Sequence, residues 1–263
     1  GIKSSMNTLR NQLIGTWTLL RKELLRFWRV VFQTVAAPVI TGILYLLIFS
    51  HVLDSRLEVY EGVAYMAFLI PGLIMMSLLQ NAFSNSSSSL IQAKVMGNIV
   101  FLLLTPLSYI QLFFAFLISA IARGIFVGIC IYLIATLYID LPIKHPWMVF
   151  SFAFFGGGLM GAFGIIAGVW AERFDQMAAF GNFVIMPLSM LSGVFYSIHS
   201  LPLSWQKVSQ LNPFFYMIDG FRYGFFGQSD VSPYFSLGIV ILFFIALSIV
   251  TIKMLKSGYK LRG

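Results

Sequence analysis

The chain has 263 residues, of which 59% are hydrophobic and only 10% are charged, and its mean hydropathy is +0.89. Soluble domains carry about 25% charged residues, so this composition excludes an ordinary soluble domain and indicates an integral membrane protein. The formal net charge of +8 would suit a nucleic-acid-binding protein, but the basic residues cluster at both termini, beside apolar segments. That placement indicates membrane topology and contact with anionic lipid, and we expect no nucleic-acid partner.

The first predicted element is an amphipathic helix over Thr16–Val30. At 100° per residue its apolar side chains share one arc and its basic side chains share the opposite arc. The apolar arc holds Trp17, Leu20, Leu24, Phe27 and Trp28, and the basic arc holds Lys22, Arg26 and Arg29. The two tryptophans favour a helix lying in the interface of the inner leaflet. The alternative is a cytoplasmic extension of the first membrane span.

Six segments are apolar and long enough to cross the hydrocarbon core, which takes about 20 helical residues. They are Val31–Leu53, Val63–Phe83, Leu107–Tyr138, Trp147–Trp170, Gln176–Ser197 and Ser232–Lys253. We therefore predict an all-α integral membrane protein with six transmembrane helices. Its parts are an N-terminal cytoplasmic or interfacial helix (1–30), a transmembrane domain (31–256) and a cytoplasmic tail (257–263).

The positive-inside rule sets the predicted orientation. An even number of spans places both termini on one side of the membrane. Assigning that side as cytoplasmic places most of the 17 Lys and Arg residues there, whereas the opposite assignment reverses the bias. We predict a multi-pass protein with both termini in the cytoplasm.

The connection between the second and third spans, Ser84–Pro106, is predicted to be cytoplasmic. We expect it to contain a short helix from Ser88 to Leu104 that ends at Thr105–Pro106. Lys94 is its only charged residue, so the segment is too apolar for a solvated loop. It should dock either on the membrane bundle or on a soluble partner, and the sequence leaves both open.

Four glycines of the fourth span lie on one helical face. They are Gly157, Gly161, Gly164 and Gly168. Small residues let two helix backbones approach closely. We interpret this face as intramolecular packing, and the alternative is a mobile or dimeric interface.

Arg123 lies near the middle of the third span. A charged residue at that depth is costly, so it is a candidate for a functional role, but we favour a structural role in which it snorkels or pairs within the protein. No acidic residue lies deep in any predicted span, which argues against proton coupling. The chain has no phosphate-binding loop, no metal-ligand spacing and no catalytic constellation, so we expect no catalytic residue and no cofactor bound by this chain.

The stretch from Pro187 to Gly227 begins as a membrane helix, breaks, and returns as apolar sequence that is too short to cross again. Pro187 and Gly193 disfavour an intact outer end of the fifth helix. Hydrocarbon tolerates broken backbone only where it is buried in protein or lines a cavity. We therefore predict a re-entrant or interfacial helical pair between spans five and six, at the outer leaflet.

The second half of this pair is predicted to begin at Asn212–Pro213, with Asp219 and Arg222 three residues apart on one face. Its many aromatic residues suggest a lid over the outer end of the protein. The alternative is an aromatic belt that only anchors the protein at the interface.

Four ordered motifs carry a resemblance to a known family. They are FLIPGLIMMS at Phe68–Ser77, ARGIFVGI at Ala122–Ile129, PLSMLSGVFYSIHSLP at Pro187–Pro202 and LNPFFYMIDGFRYG at Leu211–Gly224. The chain resembles the membrane subunit of ABC-2 type ABC transporters over nearly its full length. Within that family it is most similar to the YadH-like permeases of Gram-negative bacteria.

The resemblance implies an ATP-driven exporter of the bacterial inner membrane. Two copies of the permease would pair and bind two copies of a separate ATP-binding cassette subunit, which holds the ATP and Mg. The interfacial helix and the Ser88–Leu104 helix would contact that subunit. This connection often carries acidic residues in relatives, whereas here it reads QAKVMGN.

The candidate residues follow from these predictions. Those for contact with the ATPase subunit are Arg21, Arg26, Gln92, Lys94 and Asn98. Those for the translocation path or gate are Arg123, Pro187, Gly193, Phe195, Tyr196, Asn212, Pro213, Asp219 and Arg222. The expected substrate is amphipathic or apolar: a drug, a lipid, a glycolipid or a polysaccharide. The alternatives are a secondary transporter driven by an ion gradient and a membrane scaffold that transports nothing.

Overall fold

A computed structural model describes residues 2–52, 58–97 and 108–258, with residues 49–52 described by their backbone alone. Two short strands and a series of helices make up this part of the chain. The α-helices are α1 (Ile2–Arg29), α2 (Val31–Val52), α3 (Tyr65–Val95), α4 (Tyr109–Thr136), α5 (Pro146–Trp170), α6 (Phe174–Phe180), α7 (Met186–Met190), α8 (Leu203–Gln210), α9 (Pro213–Phe226) and α10 (Pro233–Ser257). A π-helical segment, Gly181–Ile185, joins α6 to α7, and a 3-10 turn, Ile198–Ser200, precedes α8.

A small antiparallel hairpin stands between α2 and α3. Its strands are β1 (Glu58–Tyr60) and β2 (Val63–Ala64), with Tyr60 opposite Val63. Gly62 makes the turn with a φ of 75°, a left-handed conformation that side chains other than hydrogen disfavour. The sequence patterns did not predict this hairpin.

Within the described residues, five helices are long and apolar enough to cross a membrane: α2, α3, α4, α5 and α10. The spans predicted at Leu107–Tyr138 and Trp147–Trp170 match α4 and α5 within two residues at each end. The predicted fifth span, Gln176–Ser197, is not one regular helix, so the count of six is not confirmed. Its helical part starts with α6 and ends with α7 at Met190.

Proline explains the irregular middle of that segment. Pro187 has no N–H to donate, and its ring would clash with the carbonyl four residues earlier in a regular α-helix. The backbone widens just before it, and Met186 N–H bonds to Gly181 O, five residues back. Such π-segments occur frequently at functional sites.

Helix α3 forms the centre of the bundle, between α4 and α5. It does not end at Phe83 as predicted but continues for 12 more residues to Val95, so Ser84–Ser89 are helical and Ser88 does not begin a new helix. The serines are small enough for close packing, which lets the helix continue beside α5. Residues 98–107, the rest of the predicted connecting helix, lie outside the described residues.

The glycine face of α5 packs against this same chain. A Cβ on Gly168 would stand 2.8 Å from Leu90 Cβ, and one on Gly161 would stand 2.9 Å from Ala120 Cβ. The interpretation of this face as intramolecular packing is therefore confirmed. The face is occupied by α3 and α4, which leaves no room there for a second copy.

Local sequence sets several helix ends. Ser108 caps α4: its side chain accepts from Gln111 N–H, and the Gln111 side chain accepts from Ser108 N–H. Asn212 caps α9 by accepting from Phe214 N–H, with Pro213 as the first helical residue. Gly227 ends that helix with a φ of 69°.

Candidate functional site

Arg222 on α9 is the largest fully buried side chain of the described residues, with 1% of its surface exposed. Its guanidinium donates to three backbone carbonyls: Nε to Phe68 O at 3.1 Å, Nη1 to Gly193 O at 3.0 Å, and Nη2 to Val194 O at 3.1 Å. One carbonyl belongs to α3 and two belong to the loop after α7. Arg222 therefore joins three separate segments through charged hydrogen bonds.

The residues around this guanidinium form what we call the arginine slot: Phe68, Gly72, Gly193, Val194 and Arg222. The Phe68 ring centroid lies 3.6 Å from Arg222 Cζ, which places the cation over the ring face. A Cβ on Gly72 would stand 2.6 Å from Arg222 Nη2, so only glycine leaves space for the guanidinium there. Three of the sequence motifs thus meet at one point.

Asp219 does not bind Arg222 directly. Its carboxylate accepts from Asp230 N–H at 2.9 Å and Val231 N–H at 3.1 Å, which holds the start of α10 against α9. The carboxylate of Asp230 in turn accepts from Tyr60 Oη at 2.6 Å and Ser197 Oγ at 2.6 Å.

This second carboxylate ties the β-hairpin to the loop after α7. Burial, followed by the negative charge of Asp230, raises the pKa of the Tyr60 hydroxyl, so Tyr60 stays a proton donor to Asp230 at physiological pH. The hairpin, the loop and the start of α10 are therefore held as one unit at this end of the bundle.

The broken fifth segment is fastened on both sides of its break. Asn212 Nδ2 donates to Leu188 O at 2.7 Å, and Tyr65 Oη donates to Phe195 O at 2.6 Å. Gly193 takes a φ of 82° at the break. Tyr196 Oη donates to Met190 O at 3.3 Å. The structure thus gathers Pro187, Gly193, Phe195, Tyr196, Asn212, Pro213, Asp219 and Arg222 at the same end of the protein.

The aromatic residues of α9 are mostly interior. Phe214, Phe215, Phe221 and Phe225 each expose 3% of their surface or less. Gly220 and Gly224 let α9 pack directly on α5 at Phe152 and Val149. A belt that only anchors the chain would leave these rings exposed, so anchoring does not explain them.

A polar cluster fastens the other end of the bundle. We call it the α1 clasp, and it comprises Glu23, Arg26, Asn85, Ser88 and Ser89. Glu23, only 3% exposed, accepts from Ser89 Oγ at 2.8 Å and from Arg26 Nε at 3.3 Å. Arg26 Nη2 also donates to Asn85 O at 2.8 Å, and Arg26 Nη1 donates to Ser88 Oγ at 3.4 Å. Arg26 was predicted on the outward basic arc, but it turns towards α3 to satisfy these groups.

Arg123 lies beside this clasp rather than among the gate candidates. Its Nε donates to Asn81 Oδ1 at 3.3 Å, and its Cζ lies 5.6 Å from the Phe27 ring centroid. Phe27 and Phe126 also pack edge to face, with their centroids 5.7 Å apart. Arg123 therefore contributes to the contact between α1, α3 and α4.

The candidate ATPase contacts divide into different environments. Lys94 Nζ donates to Val169 O and Ala171 O at the end of α5, where the last carbonyls lack partners within the helix. Gln92 and Arg21 are exposed. Asn98 lies outside the described residues.

A groove of about 400 Å³ separates the serine-rich half of α3 from the π-segment. We call it the serine groove. Its polar lining residues are Gln80, Ser84, Ser87, Ser88 and Asn182, and none of the described lining residues is charged. The rest of the lining is apolar, including Phe83, Ile185 and Met186. The groove suits an uncharged ligand with both hydroxyl-bearing and apolar parts.

Sequence reasoning missed the clasp and the groove because both depend on α3 continuing past Phe83. The serine run predicts a helix start instead, and Glu23 lies on neither of the two predicted arcs of α1. The available signal was the i, i+4, i+8 series of Leu19, Glu23 and Phe27, the three buried residues of α1.

The fold and these sites define a multi-pass helical membrane protein. The sequence profile of the ABC-2 type transporter family matches residues 15–226, so the chain belongs to that family. It is 38% identical to the inner membrane transport permease YadH of Escherichia coli (strain K12) over 252 residues, covering 94% of this chain and 98% of that protein. YadH of Shigella flexneri matches equally.

A second relative is the capsule polysaccharide export inner-membrane protein BexB of Haemophilus influenzae. It is 29% identical over 145 residues, which cover 54% of this chain and 52% of BexB. The resemblance drawn from the sequence motifs is confirmed. The chain is a transport permease subunit of the inner membrane.

Proposed function

We propose that this chain is the membrane-spanning half of an ATP-driven exporter in the bacterial inner membrane. Two copies pair with each other and with two copies of a separate ATP-binding cassette subunit, which carries the ATP and Mg. The observation that carries this proposal is family membership across 212 residues, from within α1 to the end of α9. The relative BexB is a capsule polysaccharide export protein, which supports export as the direction of transport.

The proposed topology places both termini in the cytoplasm. The exposed part of α1 and the end of α3 then face the ATPase subunit, and the arginine slot lies near the outer leaflet as part of an exit gate. The positive-inside bias of the sequence supports this orientation.

The positions of two buried carboxylates argue against an ion gradient as the energy source. Glu23 and Asp219 both lie outside the five span-length helices of the described residues, and both accept hydrogen bonds from neighbouring protein groups. Carboxylates held in this way support structural roles rather than an ion-coupled mechanism. ATP hydrolysis on a partner is the favoured energy source.

The proposed substrate is amphipathic and uncharged along the part that crosses the protein. The serine groove supports this substrate class, because hydroxyl and amide groups alternate there with aromatic and aliphatic side chains. A polysaccharide or glycolipid has this character, and so do many drugs.

Co-purification tests the proposal. We expect the tagged permease, extracted in mild detergent from its native host, to retain an ATP-binding cassette subunit at equal stoichiometry. The reconstituted complex should transport only when ATP is present. A permease that is recovered alone, with transport that is indifferent to nucleotide but sensitive to an ion gradient, would support the secondary-transporter alternative instead.

Gln92 provides a test of the docking surface. Replacing Gln92 with glutamate should weaken retention of the ATPase subunit several-fold, because the exposed side chain makes no hydrogen bond to the described residues and a new charge must be desolvated at the interface. Retention is measured by quantitative pull-down.

Lys94→Met is the matched comparison for this test. It should lower the thermal stability of the permease, because two carbonyls at the end of α5 lose their donor. If Gln92→Glu leaves retention unchanged, the end of α3 does not contact the ATPase.

A further inference from the structure

A groove of about 320 Å³ runs between α1 and α4 on the surface of the protein. Its lining is apolar except for one guanidinium. The lining residues are Arg21, Leu24, Leu25, Phe27, Trp28, Ala122 and Phe126. Trp28 is 61% exposed, so a large aromatic face of this groove is free to contact another molecule.

The two ends of this groove differ in depth. Helix α1 runs opposite to α3, because Glu23 bonds to Ser89 and Arg26 bonds to Asn85. Helix α4 also runs opposite to α3, because Ser119 bonds to Asn85 and Arg123 bonds to Asn81. Phe27 packs on Phe126, near the middle of α4. Helices α1 and α4 therefore run in the same direction. Arg21 lies toward the start of the membrane span, and Trp28 lies about 10 Å further along, toward its centre.

The charge of this face is unbalanced. Arg21 and Lys22 are exposed, and Glu23, the only acidic residue of α1, is buried in the clasp. Among the described residues Arg21 has no carboxylate partner. A basic group at the end of the span with an apolar groove leading inward matches an anionic headgroup with an acyl chain.

We propose that this groove binds an anionic phospholipid. Its phosphate lies against Arg21, and one acyl chain follows Leu24 and Leu25 to Trp28 and Phe126. The bound lipid fills the apolar gap between α1 and α4. The proposal does not depend on the direction or energy source of transport.

Tryptophan quenching tests this site on the full-length permease in phosphatidylcholine vesicles. Brominated phosphatidylglycerol, which carries the quencher on its acyl chains, should quench at lower mole fractions than brominated phosphatidylcholine. Trp28→Phe should remove the preference for phosphatidylglycerol, because Trp28 is the tryptophan that lines the groove. Arg21→Gln should weaken the preference about fivefold, the effect of losing one basic group beside an anionic lipid.

Arg10→Gln is the matched control, because Arg10 is an exposed arginine of α1 outside the groove. Equal quenching by the two lipids, or equal effects of Arg21→Gln and Arg10→Gln, would overturn the proposal. So would loss of the ATPase subunit from Arg21→Gln with the lipid preference intact, since Arg21 would then belong to the docking surface. Changed oligomer size in Arg21→Gln with the same intact preference would assign the groove to a second copy.

Discussion

Replacing Arg222 with methionine is expected to lower the free energy of unfolding by about 3 kcal/mol or more. Methionine fills much of the space but removes the donor to three buried carbonyls. Phe68 O lies inside α3 and keeps its helical hydrogen bond, whereas Gly193 O and Val194 O lie in the loop after α7 and lose the donor from Arg222. Each unsatisfied buried group costs about 1–3 kcal/mol. Thermal unfolding of the purified permease in detergent measures the loss.

Three companion variants show whether the loss of stability comes from the arginine slot. Gly72→Ala should also destabilise, because its Cβ would stand 2.6 Å from the guanidinium, whereas Gly42→Ala meets no atom within 4 Å and should not. Arg173→Met removes an exposed arginine and controls for loss of charge. If Arg222→Met unfolds at the same temperature as Arg173→Met, the three carbonyl bonds do not hold this end of the bundle together.

Replacing Glu23 with alanine is expected to release α1 from α3, at a cost of about 2 kcal/mol. Breaking a buried ion pair from one side costs about 3–5 kcal/mol, and the 28% exposure of the Arg26 side chain reduces that figure. Without the carboxylate, Arg26 and Arg123 repel each other with no acidic residue between them. Thermal unfolding and the rate of tryptic cleavage within α1 measure the effect.

A double-mutant cycle separates the pair from its surroundings. The double variant Glu23→Ala/Arg26→Ala should cost less than the sum of the two single changes. Each single change leaves one unpaired charge, whereas the double variant leaves none. Glu61→Ala, an exposed acid in the hairpin turn, is the control. Strictly additive costs would mean that the two side chains act independently and that the clasp does not hold α1 through this pair.

The arginine slot suggests how the gate could be built from few contacts. Arg222 links α9 to α3 and to the loop after α7, while Asp219 and Asp230 link α9 to the start of α10 and the hairpin. Any opening at this end must move these segments together or break charged hydrogen bonds in a buried place. We propose that the gate moves as one unit, because moving these segments together keeps the buried hydrogen bonds intact.

The sequence determined the helices and most of their ends. Apolar runs of the right length produced α4 and α5, and short capping motifs at Ser108 and at Asn212–Pro213 fixed the starts of α4 and α9. Pro187 and Gly193 marked the break in the fifth segment, and the structure has it between α7 and the 3-10 turn. These signals are local, because a helix end depends on the few residues that satisfy its free N–H and C=O groups.

Tertiary structure alone decided where α3 ends and which polar residues meet. Serine disfavours a helix interior in isolation, yet Ser84–Ser89 stay helical because the glycine face of α5 accepts them closely. The residues that bond to Arg222 lie at least 28 residues away from it along the chain. Ser89, which bonds to Glu23, lies 66 residues away. No sequence periodicity links such distant positions, since only the packing of the helices brings their hydrogen-bonding groups within reach.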